Sequence, residues 1–473
     1  MRALSATLLT AALLAGCARP GPREAALPAV PGAFKEASAA PVAGPDATAE
    51  PQDWWRIFAD PVLDRLEERA LGANRTLHLA AANLAAARAA LRAADASRAP
   101  LVSLGLNSTR QEGPLTNAAG TSGPLHVAGL NLSYEIDLFG RLARLRDAAA
   151  ADLREQEHLL AGARLMVQAD LAQAYFTLRA LDAEQEILRA TAETRMRTLA
   201  LTEGLARSGL AADLGVARLR AEAQAARAEA LALERRRAAQ EHAIAVLVGE
   251  PASSFTLAPT MLPAAPPVVP PGIPAAVLAR RPDIGAAQAA MLAAQTRRTA
   301  VGDAWLPRLS LTAVGGLASP DLGTLLRLSA GAIGAGALLS APLLDGGRHQ
   351  AELAGVDAAL DAAAARYGQQ ILVALREVED HLAQLRLLQG QSAAAAEAAD
   401  AAARSVALVT RGHRLGLASQ LEVLDAQRTE LARRRETVQA HAERFFATVG
   451  LVRALGGGWS APAAVAGTLP RNG

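Results

Sequence analysis

Cysteine and aromatic residues are scarce in this chain of 473 residues. A single cysteine, Cys17, excludes an internal disulfide framework, a cysteine zinc site and an iron–sulfur cluster. Aromatic residues make up 3% of the chain, which is little for a large compact globule because aromatic rings dominate the burial of such cores. The formal net charge of +2 gives no bias toward nucleic acid, so we expect no nucleic-acid partner.

Hydrophobic residues, mostly alanine and leucine, nevertheless reach 51%. This composition favours long, closely packed helices over a thick core. At ~100–200 residues per domain, the length allows two to four domains or one long repetitive architecture.

The first 16 residues have the pattern of a secretory signal peptide, with Arg2 followed by an apolar run through Leu14. Residues 14–17 (LAGC) resemble the lipobox of bacterial lipoproteins, which implies cleavage before Cys17 and acylation of that residue. Ala18 stands where inner-membrane lipoproteins typically carry aspartate, so the resemblance implies the outer membrane. The alternative is an ordinary signal peptide with an incidental cysteine.

Residues 17–52 are rich in proline and alanine and predict an extended, acylated tether with no core. No later segment offers ~18 uninterrupted strongly apolar residues, so no transmembrane helix is predicted.

The chain overlays itself when it is shifted by 207 residues. Alanine matches carry no weight in so alanine-rich a chain, but proline and glycine matches do. The informative matches are Pro100 with Pro307, Gly140-Arg141 with Gly347-Arg348, and Gly209-Leu210-Ala211 with Gly416-Leu417-Ala418. We interpret them as a duplication, with repeat 1 at 53–250, a proline-rich linker at 251–273, repeat 2 at 274–456 and a C-terminal tail at 457–473.

Each repeat has the same predicted order of elements. A helix at about 60–98 or 275–304 is followed by two strands, because the hydrophobic period changes to two after a proline. The strands are predicted at about 101–109 and 125–137, and at about 308–317 and 328–340. A long helical hairpin follows at 141–248 or 348–455, with a glycine turn at its tip. The predicted fold class is therefore an α+β membrane protein made of two tandem repeats.

Four strands that are apolar on one face and polar on the other must close into a barrel if they lie in lipid. One chain supplies too few strands, two chains give a barrel filled by its own side chains, and three give room for a lumen. The inward polar face favours three chains. Phe139 and Trp305 fall at the rim, either as lipid–water boundary residues or as ordinary packing aromatics.

Several motifs together resemble the lipoprotein branch of the TolC-like outer-membrane efflux factors. They are residues 54–61 (WWRIFADP), 134–141 (YEIDLFGR), 280–284 (RRPDI), 342–348 (PLLDGGR) and 423–428 (VLDAQR). The resemblance implies a homotrimer with a twelve-stranded β-barrel in outer-membrane lipid and a periplasmic α-barrel. It also implies a passive exit duct, joined through a periplasmic adaptor to an inner-membrane transporter of the RND type.

The resemblance also implies functional residues on the hairpins. A periplasmic gate would comprise Leu421 as an apolar constriction and Asp425 as an acidic ring, with His413 where the family often has tyrosine. A solvated or ion-paired carboxylate is the alternative role of Asp425. The adaptor-docking tips would comprise Arg207, Gly209, Leu210, Arg414, Gly416 and Leu417, whose alternative role is simple helix termination.

The sequence offers no motif for catalysis. None of the eight histidines has another histidine or a cysteine four residues away, so no metal site is predicted. We also expect no cofactor and no enzyme activity. Two alternatives to an efflux channel stay open, namely the outer-membrane duct of a type I protein secretion system and a non-conducting periplasmic tether or adaptor.

The lipobox predicts the chemistry of the mature N-terminus. Mass spectrometry of the purified protein should find an acylated Cys17 at the start of the 457 residues that follow the first 16. A Cys17→Ser variant should lack the acyl mass. An unmodified cysteine within a longer mature chain would contradict the lipoprotein assignment.

Overall fold

The computed structural model describes residues 27–39, 53–111, 123–327, 329 and 331–457. The predicted signal peptide, Cys17 and the tail from residue 458 onward lie outside the described residues. The elements are named α1–α8 and β1–β4 in chain order, and short 3-10 turns connect some of them. They are α1 Pro61–Ala73, α2 Arg75–Ala96, β1 Leu101–Gln111, β2 Gly123–Ile136, α3 Arg141–Arg207, α4 Asp213–Leu247, α5 Pro274–Arg280, α6 Pro282–Gly302, β3 Arg308–Ser319, β4 Gly331–Ser340, α7 Arg348–Arg414 and α8 Gln420–Ala454.

The long helices repeat with the offset found in the sequence. Helices α3 and α7 both have 67 residues, and α4 and α8 both have 35. In each pair, the helix of the second repeat begins 207 residues after the helix of the first. The tandem-repeat architecture is therefore confirmed at the level of whole elements.

The single helices expected at about 60–98 and 275–304 are wrong, because each is interrupted. In the first, Asn74 has an extended backbone, and its side-chain oxygen accepts hydrogen bonds from the backbone N–H groups of Thr76 (2.8 Å) and Leu77 (3.2 Å). It thus caps a new helix. In the second, Pro282 disfavours helical geometry at Arg281, whose ψ is 123°.

The four strands form one antiparallel sheet in the order β1-β2-β3-β4. β1 and β3 each extend two residues beyond the predicted ends, and β4 begins at Gly331 rather than near 328. The register places leucine and isoleucine side chains from three strands in one row on the same face of the sheet. Leu104 pairs with Leu130, Leu130 with Gly315, and Gly315 with Ile333, while Ser103 and Asn131 pair on the other face.

The chain divides into two compact units. The first contains the strands and consists of Met1–Pro28, Asn83–Glu157 and Ala286–Gln369. The second consists of Ala29–Ala82, His158–Gly285 and Gln370–Gly473.

The second unit collects many of the scarce aromatic residues in one core. Phe176 lies 4.8 Å, between ring centroids, from both Phe58 and Phe445. Trp54 and Trp55 are almost completely buried beside them. These aromatic residues therefore cluster at one level of the helices and are not spread along them.

The N-terminal tether was expected to have no core, and this is wrong for its described part. Phe34 is buried in the aromatic core. The backbone N–H groups of Lys35 and Glu36 donate to the Glu379 carboxylate on α7, at 2.7 and 3.0 Å. Phe34 buries a large apolar side chain, and the Glu379 carboxylate caps the first N–H groups of a 3-10 turn. Together these two contacts hold the segment on the helices.

Glu67 on α1 is fully buried in the second unit. Neither carboxylate oxygen has a hydrogen-bond partner within the described residues. Burial, with a smaller contribution from Asp64, raises the pKa of Glu67 well above its ordinary value. The neutral, protonated form of Glu67 is consequently favoured more in the folded state than in the unfolded chain.

The buried carboxyl predicts a pH-dependent stability. The folded state keeps its proton above the pKa of the unfolded chain, so this contribution is complete below that pKa and is lost as pH rises through the folded value. Glu67→Gln should raise the thermal unfolding midpoint more at pH 8 than at pH 4.5. The exposed neighbour Glu68→Gln should change it little at either pH. Equal effects of the two variants would contradict the assignment.

A close approach of β2 and β3 predicts the effect of a single methyl group. A Cβ at Gly316 would lie 2.5 Å from Gly129 Cα and also against the carbonyl oxygen of Ala128, both of them backbone atoms. Gly316→Ala should therefore destabilise the sheet by ~1–3 kcal/mol. Gly315→Ala is the matched control, because a Cβ there meets nothing within 4 Å. Heat resistance of the detergent-solubilised protein measures both.

Candidate functional site

Both long helical hairpins turn at a glycine with positive φ, 72° at Gly209 and 75° at Gly416. In the first hairpin, the N–H of Leu210 donates to Leu205 O and that of Gly209 to Ala206 O, both at 2.9 Å. The second turn has the same two bonds, donated by Leu417 and Gly416 at 2.9 and 3.0 Å. This is a Schellman ending, which explains why both turns contain glycine.

The remaining residues of the predicted tips are on the surface. Leu210 is 75% exposed and Leu417 is 81% exposed. Arg207 and Arg414 are exposed in the last turns of their helices. Each tip therefore exposes a leucine side chain beside an arginine side chain. A protein partner can contact both side chains, and the same residues also end the helix.

The two tips differ in how the returning helix begins. Before α8, Ser419 Oγ accepts from the N–H of Glu422 (3.2 Å), and the Glu422 carboxylate accepts from the N–H of Ser419 (2.6 Å). This capping box lowers the pKa of Glu422, chiefly through the backbone hydrogen bond. Before α4, Ala212 offers no side-chain cap.

His413 also belongs to the second turn. Its Nδ1 lies 2.9 Å from the carbonyl oxygen of Ala418, and a carbonyl can only accept, so Nδ1 carries the proton. The structure thus uses His413 to hold the turn in shape.

Leu421 and Asp425 lie four residues apart on the exposed side of α8, and Leu421 is 56% exposed. The other side of α8 faces the first hairpin, where Leu424 packs in a small buried cluster with Leu199 of α3 and Leu219 of α4. The helix therefore presents both gate candidates away from its own packing contacts.

Charged residues that no sequence motif singles out join α8 to the first hairpin. Arg428 donates to the Glu222 carboxylate on α4, which also pairs with Arg195 of α3 at 3.0 Å. The hydrogen bond from Arg428 is the largest cause of the lowered pKa of Glu222. These pairs depend on how separate hairpins pack, so neither the 207-residue offset nor helical periodicity points to them.

Further along α8, a second set of polar contacts joins this helix to the first hairpin. Arg435 lies 3.5 Å from both Glu184 of α3 and Glu229 of α4. Gln439 donates to Glu184 at 2.8 Å. The seam between α8 and the first hairpin is thus polar at two levels, in contrast with the aromatic core.

Within the described residues, no group of three or more histidine, cysteine, aspartate or glutamate side chains could hold a metal ion. The described helices also include none with a stretch apolar and long enough for a membrane span.

Comparison with known proteins assigns the family. The sequence profile of the family described as outer membrane efflux protein matches residues 66–250 and 273–457, more than half of the chain. The chain belongs to the outer membrane efflux protein family. The profile matches twice, and the two matched stretches begin 207 residues apart, which is also the offset between the long helices of the two repeats in this outer membrane efflux protein.

Its relatives cover almost the whole chain. The outer membrane protein OprJ of Pseudomonas aeruginosa is 31% identical over 419 residues, which are 87% of this chain and 88% of OprJ. ArpC of Pseudomonas putida, named an antibiotic efflux pump outer membrane protein, is 31% identical over 464 residues, 97% of this chain and 96% of ArpC. The solved structure of the outer-membrane channel OprN has a TM-score of 0.84 at 29% identity, covering 93% of this chain and 99% of OprN. The fold is that of the TolC-like outer-membrane channels.

Proposed function

We propose that three copies of this chain form the outer-membrane exit channel of a tripartite efflux pump. The observation that carries the proposal is the sheet, whose register places apolar residues on one face while both outer edges lack a partner among the described strands. Membership of the outer membrane efflux protein family supports the same function.

The apolar face needs a nonpolar environment. Leu104 is 81% exposed and Ile333 is 94% exposed in the isolated chain. Together with Leu130 they lie in one row across the sheet. Burying such a row in lipid recovers ~25 cal/mol for each Å² of apolar surface removed from water, and only a closed barrel satisfies the strand edges there.

The opposite face needs water, which supports three copies over two. Ser103, Asn131 and Thr312 lie on that face. An eight-stranded barrel from two chains would fill its interior with side chains, whereas twelve strands from three chains leave an aqueous lumen.

The partners in this proposal follow from the exposed tips and the N-terminus. The leucine and arginine side chains at the two tips would dock a periplasmic adaptor, which links the channel to an inner-membrane transporter of the RND type. Acylated Cys17 would anchor the chain in outer-membrane lipid. ArpC is named for antibiotic efflux, so small drug-like molecules are the proposed cargo, carried passively and without chemistry by the channel.

The proposed gate lies at the periplasmic end of α8. Three copies of Leu421 would narrow and dewet the pore, and three copies of Asp425 would form a ring that repels anions. In the first repeat, the equivalent positions on α4 are Leu214 and Arg218. The acidic ring is therefore a property of the second hairpin alone, and His413 holds the turn next to it.

Planar-bilayer recording tests both the channel and its gate. The wild-type protein should form discrete channels, and Leu421→Ser with Asp425→Ala should raise the conductance several-fold because it removes the constriction and the ring. The matched control is Leu214→Ser with Arg218→Ala at the equivalent positions of repeat 1, which should leave the conductance near that of the wild type.

The outcomes separate the two claims. Absence of channels in the wild type and in the gate variant would contradict the proposed conduit and favour a tether. Channels whose conductance is equal in the wild type and in the gate variant would retain the conduit but reject Leu421 and Asp425 as its gate.

A further inference from the structure

The ring of His381 on α7 packs directly against the backbone of α8 at Gly450. A Cβ added at Gly450 would lie 2.7 Å from Nε2 and 2.8 Å from Nδ1 of this ring, much closer than nonbonded atoms normally approach. Val378 and Leu382 of α7 and Val449 of α8 belong to the aromatic core beside it. The imidazole therefore fills a place between two helices that only glycine leaves open.

The two nitrogens of this ring differ in their hydrogen bonds. Gln384, one turn further along α7, forms a hydrogen bond with the ring. Nδ1 is buried and has no partner among the described residues, so the bond to Gln384 is made at Nε2. The amide oxygen of Gln384 can accept the proton of Nε2, and the neutral ring then leaves only a lone pair at Nδ1.

A second proton would change this arrangement, because both nitrogens of a charged histidine are donors. The new N–H at Nδ1 would be buried without an acceptor, which costs the full desolvation of that donor. The positive charge would also be partly removed from water, at a further cost. The packing of His381 thus suits the neutral ring and not the charged one.

The charged groups around His381 come from three helices. Burial is the largest influence and lowers the pKa of His381, and Arg453 of α8 lowers it further. Glu377 and Asp380 of α7 act in the opposite direction. Asp170 of α3 interacts in turn with Arg453. The surrounding carboxylates therefore do not offset the effect of burial.

Repeat 1 lacks this arrangement. The positions 207 residues before His381 and Gly450 are Ala174 on α3 and Ala243 on α4. Gln240 of α4 donates to the carbonyl oxygen of Ala174 at 3.1 Å, so the equivalent helices also meet here. The histidine and its glycine are thus a feature of the second hairpin alone.

We propose that His381 makes the second hairpin sensitive to acid, because a proton on Nδ1 weakens the packing of α7 against α8 at Gly450. The folded state binds this proton less readily than the unfolded chain does. The contribution of His381 to stability is therefore complete above the ordinary pKa of histidine and is lost as pH falls through the lower, folded value. A consequence for conductance rests on the proposed function, since α8 also carries the proposed gate.

Hydrogen exchange of the full-length protein in detergent tests the packing directly. The double variant His381→Ala with Gly450→Ala copies the alanine pair of repeat 1 and has no ring to protonate. Exchange of peptides around these two positions is compared with the wild type at pH 7.5 and at pH 5.0. The ratio of wild-type to variant exchange should rise several-fold at pH 5.0, because acid opens this part of the wild-type hairpin only.

Two further variants serve as controls. His381→Gln keeps Gly450 and is neutral at both pH values, so it should behave like the double variant even if the latter packs poorly. His158 is the matched histidine, because a Cβ at Gly285 would lie 2.6 Å from its Nδ1, yet the residue is exposed. A proton on His158 can be hydrated, so His158→Gln should exchange like the wild type in α7 and α8.

The exchange ratios decide the proposal. Ratios that are the same at pH 7.5 and pH 5.0 for both His381 variants would overturn it. A change of equal size in His158→Gln would overturn it as well, because burial at Gly450 would then have no special effect.

Planar-bilayer recording tests the consequence for the channel. The conductance of the wild type should rise from pH 7.5 to pH 5.0 by more than that of His381→Gln. Both proteins keep Leu421 and Asp425, so any titration of the acidic ring is common to them. Equal changes would reject an effect on the gate, while the exchange result would still support the acid-sensitive packing. Absence of channels at both pH values would contradict the proposed function and not the packing.

Discussion

The constraint on which the rest of the structure depends is an amphipathic sheet whose two outer edges have no partner strand among the described residues. The sheet has four strands among the described residues, and within that part of the chain Leu104 and Ile333 of its apolar row are largely exposed. Neither lipid nor water alone suits such a sheet, because lipid cannot satisfy free strand edges and water does not favour exposed leucine. Under the proposed function, assembly of several copies into a closed wall resolves both conflicts.

Duplication makes the two repeats regular, and segments outside the repeats contact their long helices at corresponding places. Arg179 on α3 and Arg386 on α7 are separated by the same 207 residues as the repeats. Arg179 donates to the carbonyl oxygen of Ala258 in the proline-rich linker at 2.8 Å, while Arg386 donates to Glu36 of the N-terminal segment at 2.9 Å. Two unrelated segments thus lie against equivalent positions of the two repeats, each held by an arginine.

Much of this architecture could be predicted from the sequence, because alternation and helical seams act locally and the 207-residue offset repeats every local signal. The interruptions at Asn74 and Arg281 were missed although both carry local signals, a side-chain cap and a following proline. The seam between Glu222 and Arg428 was missed for another reason. It joins side chains 206 residues apart on separate hairpins, and no periodicity within one hairpin encodes that distance. The docking of Phe34 likewise depends on a tertiary core, which the composition of the tether does not reveal.

Under the proposed function, divergence between the repeats explains why the gate would lie on one hairpin and not on the other. Position 425 is aspartate where repeat 1 has Arg218, and the turn before α8 is held by Ser419 and Glu422 where Ala212 has no side chain to offer. A constriction built from three copies requires each side chain to reach the same point, so the turn that places it benefits from a fixed geometry. The hydrogen bond from His413 to the carbonyl oxygen of Ala418 adds to that fixed geometry.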